Sequence, residues 1–309
     1  KYVSATLCRF YNGLIQKLGG WLQLSADTFI GTCRGLHGWA AINGNPYLAV
    51  GTDERLEVLI GGALQDITPL RATTNPAPAF TTIAHDLSIK ITDAGNGAAV
   101  GDWINIVTQV SVGGVVVFGF CQVATLVDTD HYYVNYSVAP TADVAAGGAV
   151  PLYTTTNTSA TVQVTLADHG YTAGSSQFDA AVSTTVATVV ISGLYTVESV
   201  IDADNFTITA ASAANADATG SENGGDARIE YLLPTGYAVA TPLTGYGVGY
   251  YGAGSYGISS GASSITAPLR QWSLDHWGED LIASPTNLGI YYWQPPNPSP
   301  ATLLSADAA

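Results

Sequence analysis

The densest group of titratable side chains in the sequence is Asp275-His276, with Glu279 and Asp280 close behind. A carboxylate beside an imidazole can hold the ring in one tautomer, which a general base requires. No Ser or Cys stands in a nucleophile-elbow setting, however, and the group falls where a turn between strands is expected. A structural turn is therefore the reading adopted. Asp128-Thr129-Asp130 and Asp202-Ala203-Asp204 begin like a calcium loop. Such a loop needs further oxygen ligands at fixed spacing and a closing Glu, and none follows. Asp just before a strand commonly caps its own backbone, so both are expected to be turns. His37 lies near Trp39 on an expected strand and is read as a hydrogen-bonded core histidine, while His85, His131 and His169 are scattered without ligand spacing. The Gly-rich segments precede strands and not helices, so they do not form phosphate cradles. Cys8, Cys33 and Cys121 are odd in number and lack a C-x-x-C spacing. They are expected to be buried thiols of a protein assembled in a reducing compartment, with neither a disulfide framework nor a zinc site. No catalytic, cofactor-binding or metal-ligating residue is assigned, and no enzyme is expected.

What would position such groups is an all-β chain. The 309 residues are 47% hydrophobic but only 11% charged, with 34 Gly. An average soluble domain carries roughly 25% charged residues. Abundant Gly, Thr, Ser and Val suit many short strands joined by tight turns, with hydroxyls on the wet faces. Helix is expected over less than about a tenth of the chain, against a base rate near a third; Leu7 to Leu18 is the one segment that reads as a short helix. No apolar run reaches the ~18 residues of a membrane span, so no membrane insertion is expected. The start lacks the apolar core of a signal peptide. With no Met even at position 1, a processed or trimmed product is expected.

The net charge of −15 is unevenly placed. Residues 72–227 hold fourteen acidic residues against Lys90 alone, a balance of −13, and the flanks hold ten acidic against eight basic, a balance of −2. Gripping nucleic acid needs a basic patch that neutralises phosphate, and none is visible. Aromatic residues without interleaved Lys or Arg also weaken a single-strand-binding reading.

Three regions follow, at 1–71, 72–227 and 228–309. In the first, strands are expected at Leu36 to Ile42, Pro46 to Gly51, Leu56 to Ile60 and Ala63 to Thr68, with turns at Asn43-Gly44-Asn45, Asp53-Glu54 and Gly61-Gly62. Four antiparallel strands in about 35 residues describe a propeller blade. A second blade is expected in 228–309, where a constant offset of 233 matches Trp39 to Trp272, Leu48 to Leu281 and Val58 to Tyr291. Between them lies a tandem repeat. Ser88 to Thr92 matches Thr161 to Thr165, and Gly97 and Gly101 match Gly170 and Gly174, at an offset of 73. Val123, Asp128 and Asp130 match Val197, Asp202 and Asp204 at an offset of 74, so one residue is inserted or lost between. Each copy has a Val-rich central strand, at Val115 to Phe118 and at Val186 to Val190. Two small β-barrels or sandwiches, about 84–150 and 157–224, are thus expected as an insertion that Thr73 to Pro78 opens and Ser221 to Asp226 closes. The Gly/Tyr-rich stretch at 236–261 suits a loop that orders at a subunit contact, since Gly frees the backbone and Tyr supplies contact area at little entropic cost.

Asn12-Gly13-Leu14, Gly19-Gly20-Trp21, Leu36-His37-Gly38-Trp39, Tyr47 to Thr52 and Asp66 to Pro69 together resemble the N-terminal part of podovirus-type bacteriophage tail nozzle proteins. Tyr246 to Tyr250, Trp272 to Asp275, Trp277 to Ile282 and Gly289 to Trp293 add to the resemblance, which covers about 9–71 and 236–305. Within the insertion, Asp202 to Thr209 is similar to strands in small β-modules of other phage tail proteins. The resemblance implies a β-propeller-based structural virion subunit, usually six around the tail axis, below a head–tail adaptor. Tail fibre or tailspike proteins would be neighbours, and DNA would pass the lumen without specific binding. Assembly would take place in the bacterial host cytoplasm. The family pattern continues for several more blades, whereas this chain shows two, so it is either a fragment or its propeller is completed otherwise. A receptor-binding fibre or adhesin is the first alternative. A propeller glycosidase is the second; it would need two carboxylates facing one pocket, for which the sequence offers Glu54, Glu279 and Asp280.

Overall fold

The computed structural model describes residues 8–12, 14–17, 25–73, 78–221, 227–235 and 271–305. Most of the two linkers and the whole Gly/Tyr-rich stretch lie outside the described residues. Within them the chain is all-β, built from several sheets, none closed into a barrel.

Where a helix is expected at Leu7 to Leu18, the described residues instead form two antiparallel strands, β1 (Cys8–Tyr11) and β2 (Leu14–Lys17), with Tyr11 opposite Leu14. The cause is local. Asn12 takes φ 48°, and Asn-Gly between two apolar runs is the strongest short hairpin signal.

β3 (Cys33–Ala40), β4 (Pro46–Thr52), β5 (Leu56–Ile60) and β6 (Ala63–Asp66) form a four-stranded antiparallel meander in sequence order. A second meander joins β22 (Trp272–Trp277), β23 (Asp280–Pro285), β24 (Ile290–Trp293) and β25 (Thr302–Ser305) in the same order. Hairpin register corrects the constant offset of 233. Ala49 opposite Val58 corresponds to Ala283 opposite Tyr291, so Tyr47 and not Leu48 is the counterpart of Leu281. Trp39 opposite Tyr47 corresponds to His276 opposite Leu281, which leaves Gly35 as the counterpart of Trp272. The first turn spans five residues between the paired Ala40 and Pro46, the second only two between Trp277 and Asp280. No single offset survives that difference, and a one-residue slip sends a side chain to the opposite face.

The two meanders share one core, in which Trp39, Ala49, Val58 and Ile67 pack with Trp272, Leu281, Tyr291 and Trp293. β3 and β22 run side by side in the same direction: Gly35 lies against Trp272, His37 against His276, and Ile42 against Glu279.

Residues 79–147 supply β8 (Ala79–Thr82), β9 (Ser88–Thr92), β10 (Trp103–Val112), β11 (Val115–Leu126), β12 (His131–Asn135) and β13 (Val144–Gly147). The same strands recur as β14 (Leu152–Thr155), β15 (Thr161–Thr165), β16 (Gln177–Val186), β17 (Val189–Thr196) with β18 (Ser199–Val200), β19 (Asn205–Thr209) and β20 (Ala218–Ser221). The central hairpin repeats down to its bulge, although in the second copy it stands as a separate two-stranded sheet, and the register shifts of β11–β12 and β8–β13 are not repeated in β18–β19 and β14–β20. β10–β11 breaks register between Ile106 and Val110, and β16–β17 breaks it between Ala180 and Thr184. Core positions correspond as well: Ile91 with Val164, Val123 with Val197, Tyr132 with Phe206. The change of offset falls at Ser175. Gly101 and Gly174 donate to the Val123 and Val197 carbonyls, while Asp102 and Ser176 accept from those residues' amides. Val186 to Val190 is not one strand. Ala187 (φ 44°) and Thr188 (φ 66°) close the β16–β17 hairpin where the first copy has Gly113 and Gly114.

β7 (Leu70–Thr73) and β21 (Ile229–Leu232) carry the chain out to this repeat and back. They pair with each other, and β21 pairs with β10, so both extend the first copy into an eight-stranded sheet.

Candidate functional site

β3 and β22 bring together side chains 238 to 239 positions apart. His37 Nε2 lies 2.9 Å from His276 Nδ1 and 3.9 Å from Asp275 Oδ1, which is 3.6 Å from His276 Nδ1. Trp39 stacks on both rings, with centroids 5.8 Å from His37 and 6.5 Å from His276. Two contacts fix this seam on either side. At one end the Trp272 indole seats against Gly51 and donates to the Thr52 carbonyl at 2.7 Å, while its Cβ and backbone carbonyl lie over Gly35. At the other, Glu279 accepts from the Ile42 amide at 2.5 Å through its side chain and from the Trp39 indole at 2.8 Å through its carbonyl.

The sequence cluster at 275–280, expected at a turn, is thereby divided: Asp275 and His276 lie within β22, paired with Ile282 and Leu281, and only Glu279 falls in the turn. Glu279 binds the β3–β4 turn, and Asp280 accepts from the Tyr292 hydroxyl at 2.6 Å. Only Asp275 and His276 join His37, which is half-buried at the seam and not in the core. Asp275 is exposed, and its Oδ1 also accepts from the His276 amide at 2.8 Å. Strand spacing could not reveal the group, because its third member comes from the opposite end of the chain.

Asp128 and Asp202 are turn formers. Asp128 Oδ1 accepts from the Asp130 amide at 2.9 Å and meets His131 Nδ1 at 2.7 Å. Asp202 Oδ1 accepts from the Asp204 amide at 2.9 Å and from Asn205 Nδ2 at 2.8 Å. These hydrogen bonds favour the charged form, so both carboxyls sit below the usual Asp range. His169 packs over Tyr171 and Phe206, and His85 takes φ 66° in the turn between β8 and β9. Cys33 is exposed, contrary to the expectation of three buried thiols, whereas Cys121 is buried and desolvation pushes its thiol up to about 11.

Glu54, the remaining glycosidase candidate, sits in the β4–β5 turn, where burial and then Asp53 raise its pKa. A cleft of about 230 Å³ between the first meander and the repeat holds Asp66 and Glu230. Arg55 pairs with Asp66 at 3.4 Å and Arg228 with Glu230 at 2.8 Å, so both carboxylates are already committed. A larger hollow of about 450 Å³ at the outer end of β4 and β5 is lined by Pro46, Tyr47, Leu48, Leu59 and Ile60 and is mainly apolar.

Comparison with protein-family models, with curated proteins and with solved structures finds no match to this chain.

Proposed function

We propose that this chain is a non-enzymatic structural subunit of a tailed-bacteriophage virion, a tail nozzle or tail-tube component that works as a hexameric ring. The observation that carries the reading is the pairing of the two meanders. Each is a four-stranded up-and-down sheet, and their first strands lie side by side and parallel across a shared aromatic core. Neighbouring propeller blades have that relation, with first strands lining a common axis. The sequence resemblance to nozzle proteins falls on the same two segments.

Mechanically, the ring extends the tail below the head–tail adaptor and conducts DNA. The acidic excess of 72–227 repels phosphate, so a lumen wall made of it lets the genome slide. The like charge also favours projection of the repeat away from ring contacts, which would then fall on the meanders. The apolar hollow at Pro46, Leu48 and Ile60 suits such a contact. One observation favours the fibre reading instead: the second copy of the repeat packs on the first, through Tyr171 to Gln109 and Val116 against its core, as a module carried outward would.

Mass measurement of the assembled species, beside a DNA titration at low salt, tests the proposal. A six-subunit ring with no DNA affinity is the expected result. A strictly monomeric protein inside the particle, or tight salt-sensitive DNA binding, would overturn it.

A further inference from the structure

We propose that His37, His276 and Asp275 form a binding site for a zinc-class divalent ion that clasps the two meanders. The proposal is independent of any ring the protein forms.

The first argument is distance. His37 Nε2, His276 Nδ1 and Asp275 Oδ1 make a triangle with sides of 2.9, 3.6 and 3.9 Å. The point equidistant from all three lies about 2.0 Å from each, which is the length of a Zn–N or Zn–O bond. The three donor atoms are therefore spaced to reach one ion. Tetrahedral bonds of that length set donors about 3.3 Å apart, so the nitrogens must separate and the carboxylate close in by a few tenths of an ångström, and the rings, now aimed at each other, must turn toward the ion.

The second argument is chemistry. Two imidazole nitrogens directed at each other at 2.9 Å share one proton at best, because two N–H groups cannot face each other at that distance. An ion replaces that proton and uses both lone pairs, while the carboxylate offsets part of its charge. Two imidazoles and a carboxylate suit Zn²⁺, Ni²⁺ or Cu²⁺, whereas Mg²⁺ and Ca²⁺ prefer shells of oxygen.

The third argument is preorganisation. The two strands are held on both sides of the group, by Trp272 in its glycine slot and by Glu279 on Ile42 and Trp39. Trp39 stacked on both rings limits their rotation. Asp275 is oriented by the His276 amide. The carboxylate side is open to solvent, so the site keeps a position for water or for a donor from another molecule, as zinc sites with three protein ligands do.

A competing pair elsewhere supplies the control. Asp128 and His131 also lie within bonding distance of each other and are accessible, but they have no second imidazole among the described residues. The test uses the full chain, stripped with EDTA and exchanged into chelator-free buffer, then titrated with Zn²⁺ against a chromogenic chelator. One Zn²⁺ per chain is expected. H37Q and H276Q are each expected to weaken binding at least ~10-fold, since even loss of an outer-shell partner costs about 10–100-fold. H131Q is expected to change nothing, and millimolar Mg²⁺ or Ca²⁺ should not compete. Because H37Q alters a half-buried ring, H276Q, at a more exposed ring, carries the decision, with circular dichroism confirming its fold. Cu²⁺ quenching of tryptophan fluorescence, strong in the wild type and weak in H276Q, reports the ion beside Trp39. Absence of zinc binding, or stoichiometric zinc that survives both H37Q and H276Q, would overturn the proposal.

Discussion

Substituting Gly51 by Ala isolates the lock between the meanders. A Cβ at Gly51 would stand 2.3 Å from Trp272 Cγ and 2.5 Å from its Cδ1. The backbone of Gly51 cannot retreat cheaply, since it is paired with Gly35 on one side and Leu56 on the other. Trp272 must move instead, and its indole then gives up the hydrogen bond to the Thr52 carbonyl. Overpacking costs about 1–3 kcal/mol, and the lost hydrogen bond about 0.5–1.5 kcal/mol. Reduced freedom of the unfolded chain returns about 0.4–1 kcal/mol. The central values net to a loss of about 2 kcal/mol, within a span of about 0.5–4 kcal/mol. Gly38 is the matched control: it lies on β3, and a Cβ there meets nothing nearer than 3.8 Å. Gly38→Ala should be neutral or slightly stabilising. Gly35→Ala should fall between, with contacts of 2.9 Å to Trp272. Urea unfolding followed by tryptophan fluorescence reads the effect, because Trp39, Trp272 and Trp293 all lie in the shared core. With a slope of about 1–3 kcal/mol/M, the midpoint of the Gly51 variant should drop by about 1 M. A Gly51 variant that unfolds with the wild type, or a Gly38 variant equally damaged, would refute the lock.

Two further outcomes follow from buried polar groups. The Tyr231 hydroxyl donates to Asp93 at 2.5 Å and meets the Tyr132 hydroxyl at 3.0 Å, all three residues being buried. Tyr231→Phe removes a donor from a buried carboxylate and should cost about 1.5–3 kcal/mol by denaturant unfolding; a change below about 0.5 kcal/mol would contradict the network. Desolvation raises the pKa of Glu57, whose Oε2 accepts from the Ile30 amide at 2.9 Å. A raised folded-state pKa means that the native state binds the proton more tightly than the unfolded chain. Stability from this group therefore increases as pH falls from neutral through the folded pKa, levelling below the unfolded value. Glu57→Gln keeps the acceptor and should stabilise the protein at pH 7 relative to wild type, with the advantage shrinking toward pH 4.5; an advantage that instead grew on acidification would show the sign to be wrong.

Local turn chemistry decided what could be read from the sequence. The first meander was legible because Asn43-Gly44-Asn45 and Gly61-Gly62 mark its turns, and the observed strands start or end within a few residues of those signals. The tandem repeat was visible at 88–92 and 161–165 because alternation there is unbroken, with Ile89, Ile91, Val162 and Val164 all buried. The same rule failed where turns lack glycine. Ala187-Thr188 adopts the left-handed pair that Gly113-Gly114 adopts without strain, so five residues of Val, Ala and Thr passed for one strand. The seam was illegible for a different reason. Trp39 and Trp272 looked like counterparts in a repeat, but they act as complementary parts, each donating its indole N–H to a carbonyl of the opposite meander. Such complementarity depends on how two sheets stack, and neither strand's periodicity contains that information.

Divergence between the two copies of the repeat shows what the join to the meanders demands. Tyr132 occupies the place that Phe206 holds in the second copy, and its hydroxyl faces Tyr231, which comes from the returning strand β21. A hydroxyl buried there is tolerable because Tyr231 of β21 supplies its partner and in turn donates to Asp93. The edge of β10 shows the same asymmetry. Ile104, Asn105 and Ile106 pair with β21, while Phe178, Asp179 and Ala180, their counterparts, pair only with β17 among the described residues. Asp179 is exposed on that edge, and a charge there discourages a foreign strand from adding on. One copy is thus adapted to be built into the body through its edge, and the other keeps its central hairpin as a two-stranded sheet with an unpaired edge among the described residues. Since the two share their strand sequence and the bulge of the central hairpin, those few substitutions mark which end of the repeat is anchored.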